Sequence, residues 1–228
     1  MTAPHKRSDI CFLLLPGFAP DAIPVLKLRD VLTKQGFPAV ATNFFGDQKV
    51  KDFSKLTIEE TKSGVSALVD DLAGKYEKVI GIGISLGGAL LLEHAKKKNK
   101  LSGIVSIGTP YRVKNLPLIR LGLFFLPIID PVSRWLGKGK RWLPLGASKM
   151  MVDYLQYEFP KDIEAITTPA LLLHSKRDPV TDYRALSEFF DRLGSPRKEV
   201  YISENGNHVI DNNPQIVWEQ TQRFFKLF

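Results

Sequence analysis

The chain has 228 residues, of which 44% are hydrophobic and 25% are charged, and its formal net charge is +8. This length fits one domain with a proper core better than two, and the composition is ordinary for a soluble globular protein. The single cysteine, Cys11, excludes an internal disulfide. The first nine residues are polar and the apolar run 10–15 is too short for a signal core, so we predict no signal peptide and a cytoplasmic protein.

Short apolar runs alternate with helical periodicity along most of the chain. Apolar runs bounded by Gly, Pro or polar residues predict buried strands, whereas apolar residues at helical spacing predict amphipathic helices. The predicted strands are 10–15, 39–45, 78–84, 103–107, 169–174 and 198–203, and the predicted helices are 21–35, 57–76, 86–98, 182–193 and 214–228. Thr57 and Glu60 form a capping-box signature. The alternation predicts an α/β fold: a mostly parallel sheet of six or slightly more strands with helices on both faces.

Residues 111–160 interrupt this alternation, and we expect them to form a small helical cap inserted into a single domain that spans residues 1–228. The hydrophobic stretch 116–129 contains two prolines and an arginine, and it is shorter than the roughly 20 residues that span a bilayer. Between Arg112 and Lys149 there are eight Lys or Arg residues and one acidic residue. Their mixture with large apolar residues favours contact with an anionic membrane surface over nucleic acid, although solvated charges beside a buried apolar stripe give the same pattern.

The central chemical motif is Gly83-Ile84-Ser85-Leu86-Gly87, a G-x-S-x-G pattern between a predicted buried strand and a predicted helix. This context indicates a sharp turn that projects the Ser85 hydroxyl, with glycines that let the strand and the helix approach closely. The helix start near Leu86 offers backbone N–H groups to a developing oxyanion. A glycine-rich structural turn without chemistry is the alternative interpretation.

A serine nucleophile needs a general base, and the chain offers four histidines. His208 lies in a polar loop after the last predicted strand, where a base can reach over the serine. His5 lies in the polar leader, and we expect His94 to be packed or on a helix surface. His174 ends the fifth predicted strand and is interpreted as a buried residue with satisfied hydrogen bonds. We therefore predict His208 as the base.

The base needs an acid that fixes its tautomer. Asp178 follows the fifth predicted strand, so the chain order is Ser85, Asp178, His208. Asp211 is a competitor, but it follows the histidine. Asp182 is the expected N-cap of the next helix. The sequence therefore predicts Ser85 as nucleophile, His208 as general base and Asp178 as the orienting acid.

These motifs resemble the α/β-hydrolase superfamily, particularly its small carboxylesterase and monoacylglycerol-lipase-like branch. The resemblance is carried by LLLPGF at 13–18, GIGISLGG at 81–88, LLLHSKRDPV at 171–180 and NGNHVI at 205–210. It implies an α/β-hydrolase fold and ester hydrolysis through an acyl-enzyme, with no metal or organic cofactor. The chain carries Pro16 where the family usually has a histidine before the glycine. The second oxyanion donor is expected in this loop, with the Phe18 N–H beside the Leu86 N–H.

The apolar residues of the expected cap are the clue to the substrate. Leu121, Phe124 and Phe125 belong to a set that would line an acyl pocket above the serine, unless these residues simply pack on the core. We therefore expect medium-chain esters or monoacylglycerols as substrates, and no nucleic acid as partner. A thioesterase or amidase with the same triad is an alternative, and a non-catalytic protein that binds a hydrophobic ligand is another.

Overall fold

The protein is represented by a computed structural model, which describes residues 6–17, 23–42, 57–98, 100–112, 145–204, 206–208 and 213–227. The strands are β1 (Ile10–Leu15), β2 (Ala39–Ala41), β3 (Lys78–Ile84), β4 (Gly103–Ile107), β5 (Ala170–Ser175) and β6 (Lys198–Ser203). The α-helices are α1 (Ile23–Lys34), α2 (Ile58–Ala73), α3 (Leu86–Lys97), α4 (Leu145–Asp153), α5 (Ala185–Arg192) and α6 (Pro214–Phe225). Shorter helical turns are Arg7–Asp9, Tyr154–Glu158 and Ile163–Ala165.

The six described strands form one parallel sheet in the order β2-β1-β3-β4-β5-β6. The predicted α/β fold class is confirmed, and the predicted bounds of β1, β3, β4 and β6 agree with the structure. The second strand was predicted too long within the described part, because Thr42 lies beyond its end; residues 43–45 lie outside the described residues. From β3 to β6 the sheet order follows the chain order, so the loops after these strands line one edge in sequence.

Side chains of β1 alternate between the two faces of the sheet and divide the core into two layers. Leu13 points into a layer with Val65 of α2 and Leu90 of α3, and all three are almost fully buried. Phe12 points into the opposite layer with Leu28 of α1 and Trp218 of α6. Helices therefore cover both faces, which explains why the central strands are buried at every position rather than at alternate ones.

Most of the expected cap, residues 113–144, lies outside the described residues, and Leu121, Phe124 and Phe125 lie there. The described end of this segment forms α4 and the helical turn Tyr154–Glu158. Tyr111 and Phe159, near its two ends, are buried in the core, where their rings lie 6.3 Å apart. Among the described helices, none is long and apolar enough to cross a bilayer.

Candidate active site

Ser85 lies on the tight turn between β3 and α3. Its backbone φ of +52° and ψ of −115° are unusual for a residue that carries a side chain. The turn is held by a hydrogen bond of 2.8 Å from the Ser85 N–H to the carbonyl oxygen of Ile107 at the end of β4. A strained strand-to-helix turn of this kind projects a serine hydroxyl above the sheet.

The glycines of the motif are required by close backbone contacts. A Cβ atom on Gly83 would lie 2.3 Å from the carbonyl carbon of Gly87. A Cβ atom on Gly87 would lie 2.5 Å from the carbonyl oxygen of Pro16, in the loop after β1. Both distances are far below van der Waals contact, so a side chain at either position would push α3 away from the strands. The G-x-S-x-G spacing is therefore a steric requirement of this turn.

His208 and Asp178 form a direct pair across neighbouring loops. The Nδ1 atom of His208 lies 2.7 Å from Oδ2 of Asp178. Asp178 is only 1% exposed, whereas His208 is partly exposed. Because Nδ1 is engaged by the carboxylate, Nε2 is the ring nitrogen that can accept a proton from a nucleophile.

The carboxylate of Asp178 is held by several donors. Its Oδ1 accepts hydrogen bonds from the N–H groups of Val180 at 2.7 Å and Thr181 at 3.0 Å, and its Oδ2 accepts one from the Thr181 hydroxyl at 2.6 Å. Burial raises the pKa of Asp178, but the hydrogen bond and charge of His208 and the bonds from Thr181 outweigh burial and lower this pKa to about 2. The side chain is therefore an anion at neutral pH.

Gly108, which follows β4, brings Ser85 and His208 to one place, and sequence reasoning missed it. Ile107 accepts the Ser85 N–H, and the next residue, Gly108, lies directly against His208. A Cβ atom on Gly108 would lie 2.3 Å from the His208 carbonyl oxygen and 3.3 Å from its Nδ1. The φ of Gly108 is +57°. A glycine immediately after a buried strand was the available signal, but nothing in the sequence says which loop approaches it.

A buried hydroxyl network supports the turn from below. The Thr109 hydroxyl donates to the carbonyl oxygen of Ser85 at 3.2 Å. Its oxygen lies 2.5 Å from the hydroxyl oxygen of Ser106, which lies 3.1 Å from that of Tyr111. Burial raises the pKa of Tyr111 above its usual range, so its phenol stays protonated and can donate. These side chains fix the carbonyl of the strained residue.

The structure describes only one of the two predicted oxyanion donors. Leu86 is the first residue of α3, and the first N–H groups of a helix have no acceptor within the helix. Phe18 lies outside the described residues. The loop that precedes it does approach the turn, because a Cβ atom on Gly17 would lie 3.4 Å from the Cβ of Ser85.

Two other histidines are buried, in agreement with the sequence-based interpretation. His94 is 5% exposed, and its Nδ1 lies 3.1 Å from the hydroxyl oxygen of Ser66 on α2. Burial lowers the pKa of His94, which favours the neutral ring. His174 is 1% exposed, and its Nε2 lies 2.8 Å from the hydroxyl oxygen of Thr181.

The other two acidic candidates from the sequence are Asp182 and Asp211. Asp182 was predicted as the N-cap of α5, and this prediction is wrong because the N-cap is Arg184. The Asp182 carboxylate instead accepts the Arg184 N–H at 3.1 Å, in the turn before the helix. Asp211 lies outside the described residues. Within the described ranges, no group of three or more His, Cys, Asp or Glu side chains could hold a metal ion.

Known proteins resemble this chain along nearly its whole length. A family model described as serine aminopeptidase, S33, matches residues 155–215, which include Asp178 and His208. A solved structure from work on LipS and LipT, two metagenome-derived lipolytic enzymes, is 19% identical with a TM-score of 0.76, and the match covers 97% of this chain and 95% of that chain. The chain has the α/β-hydrolase fold.

Two further proteins resemble this chain. The monoacylglycerol lipase of Paleococcus ferrophilus is 20% identical with a TM-score of 0.70, and the match covers 95% of this chain and 93% of that chain. Among curated proteins, the Mus musculus palmitoyl-protein thioesterase ABHD10, mitochondrial, is 24% identical over 175 residues, which are 72% of this chain. The matched part is 56% of that protein, so the chain spans little more than half the length of this relative.

Proposed function

We propose that the chain is a serine hydrolase that cleaves carboxylic esters through an acyl-enzyme on Ser85. His208 removes the hydroxyl proton as the serine oxygen attacks the acyl carbonyl, and Asp178 stabilises the imidazolium that forms. The N–H groups of Leu86 and Phe18 bind the oxyanion. His208 then protonates the leaving alcohol. Water, activated by the same base, releases the acid and restores the serine.

The observation that carries this proposal is the paired Asp178 and His208 beside a strained serine. An ionised carboxylate 2.7 Å from Nδ1 fixes the tautomer in which Nε2 is the base. The Ser85 N–H bonds the carbonyl oxygen of Ile107, and His208 lies against the next residue, Gly108, which supports their proposed roles as nucleophile and base. A turn with the φ of Ser85 costs folding energy, and such strain persists where it serves a site.

For the substrate we propose medium-chain acyl esters or monoacylglycerols. The support is the apolar character of the cap segment, with Leu121, Phe124 and Phe125 as proposed pocket residues, which lie outside the described part of the chain. The names of two structural neighbours, lipolytic enzymes and a monoacylglycerol lipase, favour the same class of substrate. In this proposal the cap covers the serine and excludes water from the acyl chain.

A thioester is the second candidate substrate. The curated relative is named a palmitoyl-protein thioesterase, and a thioester is attacked by the same serine with a thiol as leaving group. The triad chemistry serves both reactions, so leaving-group preference has to be measured. Rates for an oxygen ester and a thioester of the same acyl chain compare the two directly.

The test of the proposed nucleophile is Ser85→Ala, assayed with a chromogenic ester and with a fluorophosphonate probe. We expect probe labelling to disappear and kcat to fall by several orders of magnitude, on the order of a million-fold in a comparable serine hydrolase. Ser63→Ala, at an exposed position on α2, is the matched control and should keep full activity. Undiminished hydrolysis by Ser85→Ala would reject the assignment. Absence of labelling in the unmodified protein would favour a ligand-binding protein without catalysis.

An acyl-length series tests the proposed pocket. We expect kcat/KM to rise from acetyl to medium-chain esters, because each buried CH₂ contributes up to about 0.8 kcal/mol of binding. The same series with Leu121→Ala should lose part of this increase while the acetyl ester reacts as before. Equal or faster reaction of acetyl esters in the unmodified protein would contradict an acyl-lined pocket.

A further inference from the structure

A chain of buried polar side chains continues behind the carboxylate of Asp178. The Thr181 hydroxyl oxygen lies 2.6 Å from Asp178 Oδ2 and 2.8 Å from Nε2 of His174. Asp178 and His174 are each 1% exposed, and Thr181 is 0% exposed. The same Oδ2 atom also faces Nδ1 of His208. The Thr181 hydroxyl thus lies between His174 of β5 and the Asp178 oxygen that contacts His208.

The direction of each proton in this chain follows from its acceptors. Thr181 has one hydroxyl proton, and the 2.6 Å approach to a carboxylate requires that proton to lie between the two oxygens. The threonine oxygen must then accept from His174, so the proton of His174 is on Nε2. Its Nδ1 lies 2.9 Å from the backbone nitrogen of Ser175 and 3.1 Å from the oxygen of that residue. With the proton on Nε2, Nδ1 accepts the Ser175 N–H.

The opposite tautomer of His174 is excluded by the same distances. With the proton on Nδ1, Nε2 would have to accept the hydroxyl proton of Thr181. That would leave the threonine oxygen 2.6 Å from a carboxylate oxygen with no proton between them, and an anion tolerates no such contact in a buried place. These distances therefore place a proton on Nε2 of His174, which donates to the Thr181 oxygen, while the Thr181 hydroxyl donates to Asp178.

We propose that Thr181 is a positioning residue for Asp178 and that His174 fixes the orientation of its hydroxyl. Thr181 holds the carboxylate at both oxygens, through its N–H to Oδ1 and its hydroxyl to Oδ2. A carboxylate held at both ends cannot rotate about its last bond, so Oδ2 stays aimed at Nδ1 of His208. Thr181 acts through Asp178 and touches no substrate. This proposal rests on the proposed function, because it assigns a role in the same triad.

The kinetic test compares Thr181→Val with Thr181→Ser. Valine has nearly the same shape but no hydroxyl, so we expect kcat to fall about 10- to 100-fold with KM nearly unchanged, since a misaligned triad slows chemistry without removing substrate contacts. Serine keeps the hydroxyl and should restore most of kcat. Thr221→Val in α6 removes another fully buried hydroxyl, which bonds the carbonyl oxygen of Val217, and it is the control for loss of stability alone.

A spectroscopic test reads the same network without substrate. Proton NMR of the resting protein should show a downfield signal from the proton between His208 Nδ1 and Asp178, absent in Asp178→Asn. We expect this signal to shift or broaden in Thr181→Val and to return in Thr181→Ser. Nitrogen-15 NMR should find a proton on Nε2 of His174.

The outcomes separate this proposal from the proposed function. If the unmodified protein is labelled at Ser85 but Thr181→Val keeps both its kcat and its downfield signal, the role of Thr181 is wrong and the hydrolase assignment stands. A His174 ring without a proton on Nε2 overturns the proton arrangement. Equal loss of kcat in Thr181→Val and Thr221→Val would show a stability effect and contradict positioning. A protein that Ser85→Ala leaves unchanged removes the hydrolase assignment itself.

Discussion

Gly108 shows how a single residue without a side chain can determine the geometry of the site. It has a φ of +57°, and the backbone of His208 lies where a Cβ atom would be. Glycine is therefore required at this position for two reasons: the backbone is left-handed, and the loop with His208 approaches it closely. The imidazole can rest over the end of β4 only because this position is empty.

We predict that Gly108→Ala displaces His208 and reduces kcat/KM by at least about 100-fold, the effect expected for a catalytic group misplaced by about 1 Å. The methyl group would lie 2.3 Å from the His208 carbonyl oxygen, so the loop must move. Gly36→Ala is the matched control, because its φ is +84° but a Cβ atom there would meet only the Arg7 side chain, at 3.7 Å. Both variants should lose about 1–2 kcal/mol of stability from the left-handed backbone. Equal activity of the two variants would show that Gly108 does not position the proposed base.

The strands and helices show which features of the fold the sequence could predict and which it could not. Strands such as β3 and β4 were predicted to the residue, because a strand covered on both faces is a continuous apolar run with sharp polar or glycine ends. The start of α5 was placed three residues early, because the Asp182 carboxylate bonds the Arg184 N–H in a turn that imitates a cap. An Asx turn and a helix N-cap use the same residue types, so single-sequence reasoning cannot separate them.

The residues of the candidate site were predicted in part for a related reason. Ser85, Asp178 and His208 were chosen from residue type and from their place after strands, which local sequence specifies. Gly108 acts through a contact with a loop that is far away in the chain, and no local pattern indicates such a contact. Thr181 contacts residues close to it in the chain, but those contacts depend on how the loop after β5 folds. For His174, the sequence predicted burial from its place in a strand. It did not predict the partner, Thr181, because that contact depends on how the next loop folds back.

The capping box at the start of α2 yields a prediction at the scale of the helix. The Glu60 N–H donates to the Thr57 hydroxyl at 3.2 Å, and the Thr57 N–H donates to the Glu60 carboxylate at 3.1 Å. We expect Thr57→Ala to lose about 0.5–2 kcal/mol of unfolding free energy in urea denaturation, because the Glu60 N–H in the first turn loses its acceptor. Ser63→Ala, at an exposed interior position of the same helix, should change stability little. A loss as large in Ser63→Ala would mean that the cap is not the cause.

At the scale of the molecule, the order of the strands in the sheet brings together residues that are far apart in the chain. Ser85 follows β3, Gly108 follows β4, Asp178 follows β5 and His208 follows β6, and these four strands are neighbours in that order. The carboxyl ends of parallel strands meet at one edge, where α/β proteins bind their ligands. The loop with His208 connects β6 with α6.

Phe12 joins the elements that hold α6 in place. Its ring centroid lies 5.4 Å from that of Phe37 and 6.4 Å from that of Trp218 on α6, both in edge-to-face geometry. Phe12 is 0% exposed and lies in the middle of β1, away from the carboxyl edge of the sheet. The cluster therefore contributes to the stability of the fold without touching the site.

We predict that Phe12→Leu lowers the free energy of unfolding by about 1–3 kcal/mol, because two aromatic pairs worth about 0.5–1.5 kcal/mol each are lost. Urea denaturation followed by circular dichroism measures the change, and Tyr157→Leu, at a position 48% exposed, is the control that should be close to neutral. Activity per folded molecule, counted by fluorophosphonate labelling, should remain at the level of the unmodified protein. A fall in kcat at constant labelling would show that the core layer under α6 and the site at the sheet edge are coupled, contrary to the separation argued from their positions.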